Sequence, residues 1–519
     1  MSVLKSLKSA QNLNDLAALV GYQPKHLSFI VYKMPPGEKY SIFKIAKKDG
    51  GVRQISAPNQ RLKLLQKRIA NVLYECRKEI DNENKFKSLS HGFRRGHSIV
   101  TNARPHHRRR FVLNLDLKDF FATLNFGRVR GYFLKNKAFE LNEKIATLIA
   151  QIACHDNGLP QGSPCSPIIA DLLAHLLDVR LAQLAKKARV TYSRYADDIT
   201  FSTNQKQFPR ALAHQDANEG GKWELGTELI SRIADAGFII NPNKTRMQCR
   251  MSRQLVTGLI VNEKVNIRTE YYRRARAMCD ALFKTGQYFI ETSGQPAKVP
   301  TAEAMSATEV AGVVKVATNS LGPLGGQLAN FHHVKDQIDH RTETEKRKGK
   351  TAFRKLFSRF LFYRNFAVLD KPLLLTEGKT DNIYLSLAVR HSAVFQPELG
   401  KVTSSGFLSN LRYFNHQSEM RKVLELDGGS GNFKFFIMRY GEVMKSFVHK
   451  PQAHPVIVLL DNDDGATDIF AVIKKNYGFE INHNGTDDFY HITENLYLVK
   501  TPHVGNKKKT CIVRLSLCN

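Results

Sequence analysis

Acidic residues at the ends of apolar runs mark two places where this chain could do chemistry. "LNLDLKDFF" closes an apolar run on Asp116 and sets Asp119 one turn on, while "SRYADDITFS" puts Asp197 and Asp198 side by side between β-branched and aromatic residues. Joining a hydroxyl to a nucleoside triphosphate needs two divalent cations about 3.5–4 Å apart, one on the attacking oxygen and one on the leaving group. Magnesium takes hard carboxylate oxygens and keeps several waters. Two acids on separate strands, Asp116 and Asp197, suit such a pair, with Asp198 adding negative charge beside them. Far downstream, "PLLLTEGKTD" delivers Glu377 and Asp381, and "VIVLLDNDDGA" delivers Asp461, Asp463 and Asp464. Acids at the carboxyl ends of parallel strands, where α/β folds bind ligands, can hold magnesium and orient a phosphate.

The elements that must position these groups are legible around them. "FVLNLDLKDFFATL" reads as a buried strand running into a turn, and "TYSRYADDITFS" as two short strands with the acids at the break. "LPQGSPCSP" (159–167) is a Gly/Pro turn carrying Gln161, with Ser166 as the N-cap and Pro167 at the first position of a helix striped by Ile168, Leu172 and Leu176. "LNDLAALVGY" and "NQRLKLLQKRIANVLYECRK" have helical spacing, and the chain from "TEYYRRARAMCDALF" to about Val334 reads as mostly helical. "RTETEKRKGKTAFRK" (341–355) is dense in charge and reads as a connection. Beyond Lys371 strand–turn–helix units follow one another, the pattern of an α/β domain with a parallel sheet.

The whole chain is consistent with that reading. Its 519 residues exceed what one core usually holds, and 42% apolar content excludes extensive disorder. The 78 Lys and Arg against 47 Asp and Glu give a formal charge of +31, which points to a polyanionic partner, most simply nucleic acid. The seven cysteines are scattered with no zinc-ligand spacing, as expected in a reducing cytoplasm. Neither a signal peptide nor an apolar run of about 18 residues is visible, so a cytoplasmic protein without a membrane partner is expected.

YADD or LPQG alone recurs by chance. The ordered set "LDLKDFF … LPQGSPCSP … YADD", each in its proper context, resembles the palm motifs of reverse transcriptases, with likeness over roughly residues 30–330. The resemblance implies an α+β right-hand polymerase of fingers, palm and thumb, using deoxynucleoside triphosphates and two Mg2+ in the palm. By that likeness Asp116, Asp197 and Asp198 are the catalytic metal ligands, Phe121 is the aromatic gate that excludes a ribose 2′-OH, and Gln161 contacts the incoming nucleotide. "KKDGGVRQISAPN" is similar to the fingers segment, making Lys48 and Arg53 triphosphate contacts. In "GFIINPNKTRM", Lys244 is the group placed to protonate pyrophosphate.

Two further elements resemble retron enzymes in particular: "NARPH", with Asn102 and His106, and the Val256, Thr257, Gly258 triplet of "QLVTGLIVN". Both belong, by that likeness, to recognition of structured retron RNA. "RPHHRRRF" adds Arg108, Arg109 and Arg110 as phosphate-backbone contacts. A retron enzyme copies part of its own noncoding RNA from an internal guanosine 2′-OH. The product is a branched RNA–DNA hybrid, multicopy single-stranded DNA (msDNA), and host RNase H trims the template.

The C-terminal acids resemble the Toprim fold over about residues 370–500. There Glu377 is the acid/base or a metal ligand, and Asp461 and Asp463 are metal ligands for one or two Mg2+. The usual DxDxxG pattern is broken, because Gly465 comes one residue early. The expected organisation is a reverse transcriptase over 1–335 (fingers and palm to about 262, helical thumb 263–335), a charged connection over 336–370, and a Toprim-like domain over 371–519. In this picture the tail is an antiphage effector, a metal-dependent nuclease. A mobile-element or other bacterial reverse transcriptase, with a tail that processes DNA or only binds nucleic acid, stays open beside it.

Overall fold

A computed structural model of the chain describes residues 2–46, 51–84, 89–215, 222–291, 313–317, 321–404, 406–414, 418–426 and 430–502. The chain divides into two compact units, Met1–Arg268 and Thr269–Asn519.

In the first unit a hairpin of β1 (Tyr40–Ala46) and β2 (Val52–Pro58) pairs Tyr40 with Pro58 and Ala46 with Val52, and leads into the long helix α1 (Gln60–Asn84). A short helix α2 (Ile99–Ala103), started by a Ser98/Thr101 capping box, precedes β3 (Phe111–Asp116). Helix α3 (Ser166–Lys187) is followed by β4 (Thr191–Tyr195), β5 (Asp198–Thr203) and β6 (Arg246–Cys249). The strands form an antiparallel sheet in the order β4–β5–β3–β6. Alternation along the strands sends Leu113, Leu115, Ile199 and Phe201 into one continuous core with Ile168, Ile169, Leu172 and Leu173 of α3. Each such fully buried side chain contributes roughly 1.5–3 kcal/mol of transfer free energy. The start of α3 falls one residue from expectation. Cys165 is the N-cap, and the Ser166 hydroxyl instead donates to the Pro160 carbonyl at 2.9 Å. A two-strand clip of β7 (Leu255–Val256) and β8 (Leu259–Ile260) closes the unit.

The second unit begins with helices α4 (Thr269–Thr285), α5 (Gly322–Ile338) and α6 (Ala352–Phe362). Its sheet contains β9 (Leu373–Thr376), β10 (Arg412–Tyr413), β11 (Val456–Leu460), β12 (Tyr490–Thr493) and β13 (Leu496–Lys500), in the order β10–β9–β11–β13–β12. The first three pairings are parallel and the last is antiparallel. Helices α7 (Lys379–His391) and α9 (Ala466–Tyr477) follow β9 and β11, and α8 (Ser430–Lys445) lies between. Leu373, Leu375, Val456, Val458, Leu460 and Leu498 form the core with Phe436 and Tyr440 of α8. The α/β pattern read beyond Lys371 is present.

The division into compact units falls between Arg268 and Thr269. Helices α4 and α5, expected as a thumb of the first domain, contribute Cys279, Leu282, Leu324 and Leu328 to the core of the second unit. The charge-dense stretch is no linker. Its ions pair locally, Lys346 with Asp336, Arg341 with Asp339 and Arg354 with Glu343, while Phe353, Phe357, Phe360 and Leu361 of α6 face the core. A hairpin of Gln287–Glu291 with Val313–Ala317 interrupts the region read as helical.

Candidate active site

The register of the palm sheet brings the acids together. Asp116, last residue of β3, lies opposite Asp198, first residue of β5, and Tyr195 faces Asp198 across the β4–β5 hairpin. Directly opposed residues have Cβ atoms about 4.5–5.5 Å apart. Ala196 and Asp197 form the turn, Ala196 at a left-handed φ of 56°. The Leu117 N–H donates to the Asp197 carbonyl at 3.0 Å, tying the turn to the end of β3.

A buried arginine pins this tip from behind. Arg194 is fully buried, and its Nε and Nη2 donate to the two oxygens of Asp178 at 2.7 and 2.8 Å. Nη2 also reaches Asp171 at 3.1 Å, and Nη1 donates to the Ala196 carbonyl at 2.9 Å. Both acids lie on α3, so the helix after LPQGSPCSP and the YADD turn are joined by one guanidinium fork. On the outer side, a Cβ on Gly92 would lie 2.3 Å from the Ala196 nitrogen, so only glycine allows that loop to approach.

The electrostatics are those of under-compensated negative charge. Asn241 Nδ2 donates to Asp116 Oδ1 at 3.1 Å and Lys244 Nζ to Oδ2 at 3.1 Å. Burial, then the neighbouring Asp197 and Asp116, push the Asp198 carboxyl up to about 7. Asp197 is also raised, by burial first and with Asp116 adding to it. Burial would lower Lys244, but its hydrogen bond and charge contacts with Asp116 and the other two acids outweigh that and hold it above the ordinary lysine range. Among the described residues no group of three or more His, Cys, Asp or Glu is arranged to hold a metal ion. Asp116 has both oxygens occupied by Asn241 and Lys244. The donor chemistry nonetheless suits a hard divalent cation, since the carboxylates of Asp116 and Asp197 face one cavity with Lys244 beside them.

In front of the acids lies a cavity of about 890 Å³ lined by Asp116, Asp197, Arg53, Phe121, Gln161 and Lys244, among others. Every nucleotide-binding residue expected from the sequence therefore faces it, except Lys48, which lies outside the described residues. Gln161 is positioned by its backbone, whose carbonyl accepts from the Ser56 N–H of β2 at 2.9 Å. Gly162, at φ 122°, passes where a Cβ would meet the Ser56 carbonyl oxygen at 2.9 Å. Asp198 instead lines a second cavity of about 800 Å³ on the other side of the hairpin, with Thr257, Gly258, Asn114 and Arg246.

The expected RNA contacts divide. Asn102 and His106, expected as RNA contacts, are fully buried. Ser193 Oγ donates to Asn102 Oδ1 at 2.7 Å, so Ser193 accepts from His106 Nε2 at 2.8 Å, and His106 Nδ1 accepts from Ser202 at 2.7 Å. This chain ties α2 to β4 and β5, and burial first, then Arg109 and His91, hold the His106 ring neutral down to about pH 3. Val256 is buried as well, whereas Thr257 and Gly258 form the turn between β7 and β8 at φ 47° and 82°. A β-branched residue there is unusual and marks a strained turn. Arg108 and Arg110 are exposed, and Arg109 donates to the Pro105 carbonyl at 3.1 and 3.2 Å.

In the second unit Glu377 directly follows β9 and Asp461 directly follows β11, adjacent parallel strands, and the Asp461 N–H lies 3.4 Å from Glu377 Oε1. Burial, then Asp461, push the Glu377 carboxyl up to about 7. Asp463 Oδ1 accepts from the Gly465 N–H at 2.8 Å, so the early glycine closes a tight loop on that acid. Asp381 caps α7 by accepting from the Gly378 N–H at 2.7 Å.

Arg194, Asp178, Asn241 and Gly92 escaped the sequence reading. An arginine beside YADD and two aspartates seven apart on an apolar helix face, Asp171 and Asp178, were the available signal, since acids on a buried face require a partner.

The reverse transcriptase (RNA-dependent DNA polymerase) family matches residues 45–273. The Retron Mx65 reverse transcriptase of Myxococcus xanthus is 35% identical over 258 residues, 46% of this chain and 55% of that protein. The Retron Ec86 reverse transcriptase of Escherichia coli is 32% identical over 275 residues, 52% of this chain and 78% of that protein. Among solved structures, telomerase from Candida albicans in complex with a fragment of telomeric RNA covers 79% of this chain and 67% of its own at a TM-score of 0.30 and 11% identity, too slight a likeness to bear on the fold. The chain spans about half the length of the Mx65 protein and most of the Ec86 protein. A likeness near one residue in three that runs along most of the Ec86 protein is one of family: this chain belongs to the retron reverse transcriptases.

Proposed function

We propose that the chain is the RNA-directed DNA polymerase of a retron, copying its own noncoding RNA from an internal guanosine 2′-OH into msDNA. The observation that carries this is the cavity in which Asp116 and Asp197 share a wall with Arg53, Phe121, Gln161 and Lys244. Asp116, Asp197 and Asp198 would hold two Mg2+. When bound, such cations lower the cost of forming the attacking oxyanion and of releasing pyrophosphate. The protein's own groups do the rest. Arg53 offers a planar fork to the triphosphate, Phe121 occupies the space a 2′-OH would need, and Gln161 lies on the nucleotide's path. Lys244, already protonated beside Asp116, is placed to neutralise or protonate the leaving group. Partners in this reading are the cognate noncoding RNA, the msDNA, deoxynucleoside triphosphates and host RNase H on the template, in the cytoplasm. None of the described helices is long and apolar enough to cross a membrane.

The test is the nucleic acid that purifies with the protein from cells carrying its flanking DNA. A discrete species that loses an RNA part to RNase and leaves a short single DNA strand supports the retron reading, and Asp197→Ala must abolish it. Heterogeneous cellular RNA alone would reduce the proposal to a general reverse transcriptase.

For the second unit we propose a Toprim-like effector in antiphage defence, a metal-dependent nuclease using Glu377, Asp461 and Asp463 with one or two Mg2+. Its support is the adjacency of Glu377 and Asp461 at the carboxyl ends of parallel strands. The alternative is a tail that only binds nucleic acid. Glu377→Gln separates the two, because a nuclease loses toxicity and phage protection and a binding module keeps both.

A further inference from the structure

We propose that Phe93 is a positioning residue that sets the sugar selectivity of the polymerase by holding the Phe121 ring in place; this rests on reading the 890 Å³ cavity as the nucleotide site. Neither residue's neighbourhood is incidental. The Phe93 and Phe121 ring centroids lie 5.7 Å apart at 53°, and both side chains line that cavity. Phe120 meets Phe121 edge-on at 5.5 Å, so Phe121 packs against two aromatic rings.

Phe93 is presented to Phe121 by a backbone that a phenylalanine adopts reluctantly, at φ 60° in the left-handed region. The surroundings fix that conformation. The His91 N–H donates to the Arg194 carbonyl at 2.8 Å, the Arg194 N–H to the Leu89 carbonyl at 3.0 Å, and Ser90 forms a parallel bridge with Arg194. This segment therefore extends the edge of β4. The next residue, Gly92, then presses on the Ala196 backbone with no room for a Cβ. A continuous path of contacts runs from the catalytic turn through Gly92 and Phe93 to the Phe121 ring.

An aromatic gate discriminates only if it cannot retreat. A ribose 2′-OH meeting Phe121 must displace the ring, and the ease of that displacement depends on what stands behind it. Phe93 and Phe120 are the rings in contact with Phe121, and Phe93 shares the cavity wall with it. A bulky residue kept at a left-handed φ is strain that the fold maintains, and here it is maintained at the wall of the cavity.

The experiment uses the full chain on a poly(rC) template with an oligo(dG) primer and Mg2+, measuring kcat/KM for dGTP and for GTP. Phe93→Ala is expected to raise GTP use relative to dGTP at least tenfold, while dGTP use stays within about fivefold of the wild type. Phe93→Leu, which keeps the bulk, is expected to stay within about threefold of the wild-type ratio. Phe93→Gly accepts the left-handed backbone without strain and serves should the alanine variant fold poorly. An unchanged ratio in both Phe93→Ala and Phe93→Gly, beside a raised ratio in Phe121→Ala, overturns the proposal, as does an equal loss of both nucleotides. If Phe121→Ala leaves the ratio unmoved, the gate reading of the cavity itself falls.

Discussion

Lowering the pH from 7.5 to 5 should destabilise the first unit through one ring, and the amount can be worked out. An unfolded histidine titrates near 6.5, whereas burial and the nearby Arg109 hold His106 neutral down to about 3. Above pH 6.5 the ring is neutral in both states and contributes nothing to the pH dependence. Below it the unfolded chain takes up the proton first, so stability drains away as the pH falls from 6.5 towards 3. At pH 5 the loss is roughly 2 kcal/mol, out of a full span of about 5 kcal/mol. Trp223, the chain's single tryptophan, packs against Phe111 and Phe208 with centroids 6.0 and 6.1 Å away, so its fluorescence follows this unit in urea titrations of the full chain. His91, lowered to about 4 chiefly by burial, and Asp198 also titrate across the range. They are common to wild type and His106→Gln, so the comparison between the two isolates His106. The drop in unfolding free energy from pH 7.5 to 5 should be about 2 kcal/mol smaller in His106→Gln. Equal drops in the two proteins, within about 0.5 kcal/mol, would refute the buried neutral ring and with it the internal role given to the NARPH element.

Other perturbations are as direct. Arg194→Met leaves Asp178 buried without its counter-ion and should lower the urea-unfolding free energy of the first unit by about 3–5 kcal/mol, read again at Trp223. Gly92→Ala should cost about 1–3 kcal/mol in the same titration, because its Cβ must push the hairpin backbone aside, and polymerisation should fall with it. Lys244→Ala removes a half-exposed side chain and should leave the unfolding midpoint unchanged while lowering kcat for deoxynucleotide addition about tenfold, close to 1.4 kcal/mol, in steady-state assays.

What the sequence disclosed follows what is local in each element. Asp116, Gln161 and the YADD pair were legible because strand alternation and turn residues are written in consecutive positions. Phe121, Arg53 and Lys244 followed from motif order, and they line the cavity with Asp116 and Asp197. Arg194 was opaque because its partners, Asp171 and Asp178, stand 23 and 16 residues back on a helix whose docking no local pattern announces. The charged stretch 341–355 misled because its composition matches a solvated linker. Its acids and bases neutralise one another locally, and the phenylalanines spaced along α6 decide the packing. Asn102 and His106 are the opposite case. Their likeness to a retron element suggests RNA contacts, yet both side chains are buried, where Ser193 bonds Asn102 and His106 and Ser202 bonds His106.

The guanidinium beneath the YADD turn has a consequence for how this site breathes. A hairpin tip is ordinarily the first part of a sheet to open, since little holds it beyond its own ladder. Here the carbonyl of the turn, two aspartates of α3 and the backbone of the Leu89–His91 segment all meet at Arg194. To open the turn, the arginine must leave a fully buried pair, a step that costs about 3–5 kcal/mol. Amide protons of β4 and β5 should therefore exchange with solvent only when the first unit opens as a whole. The turn that carries the acids and the helix that supports it then share one fate, folded together or lost together.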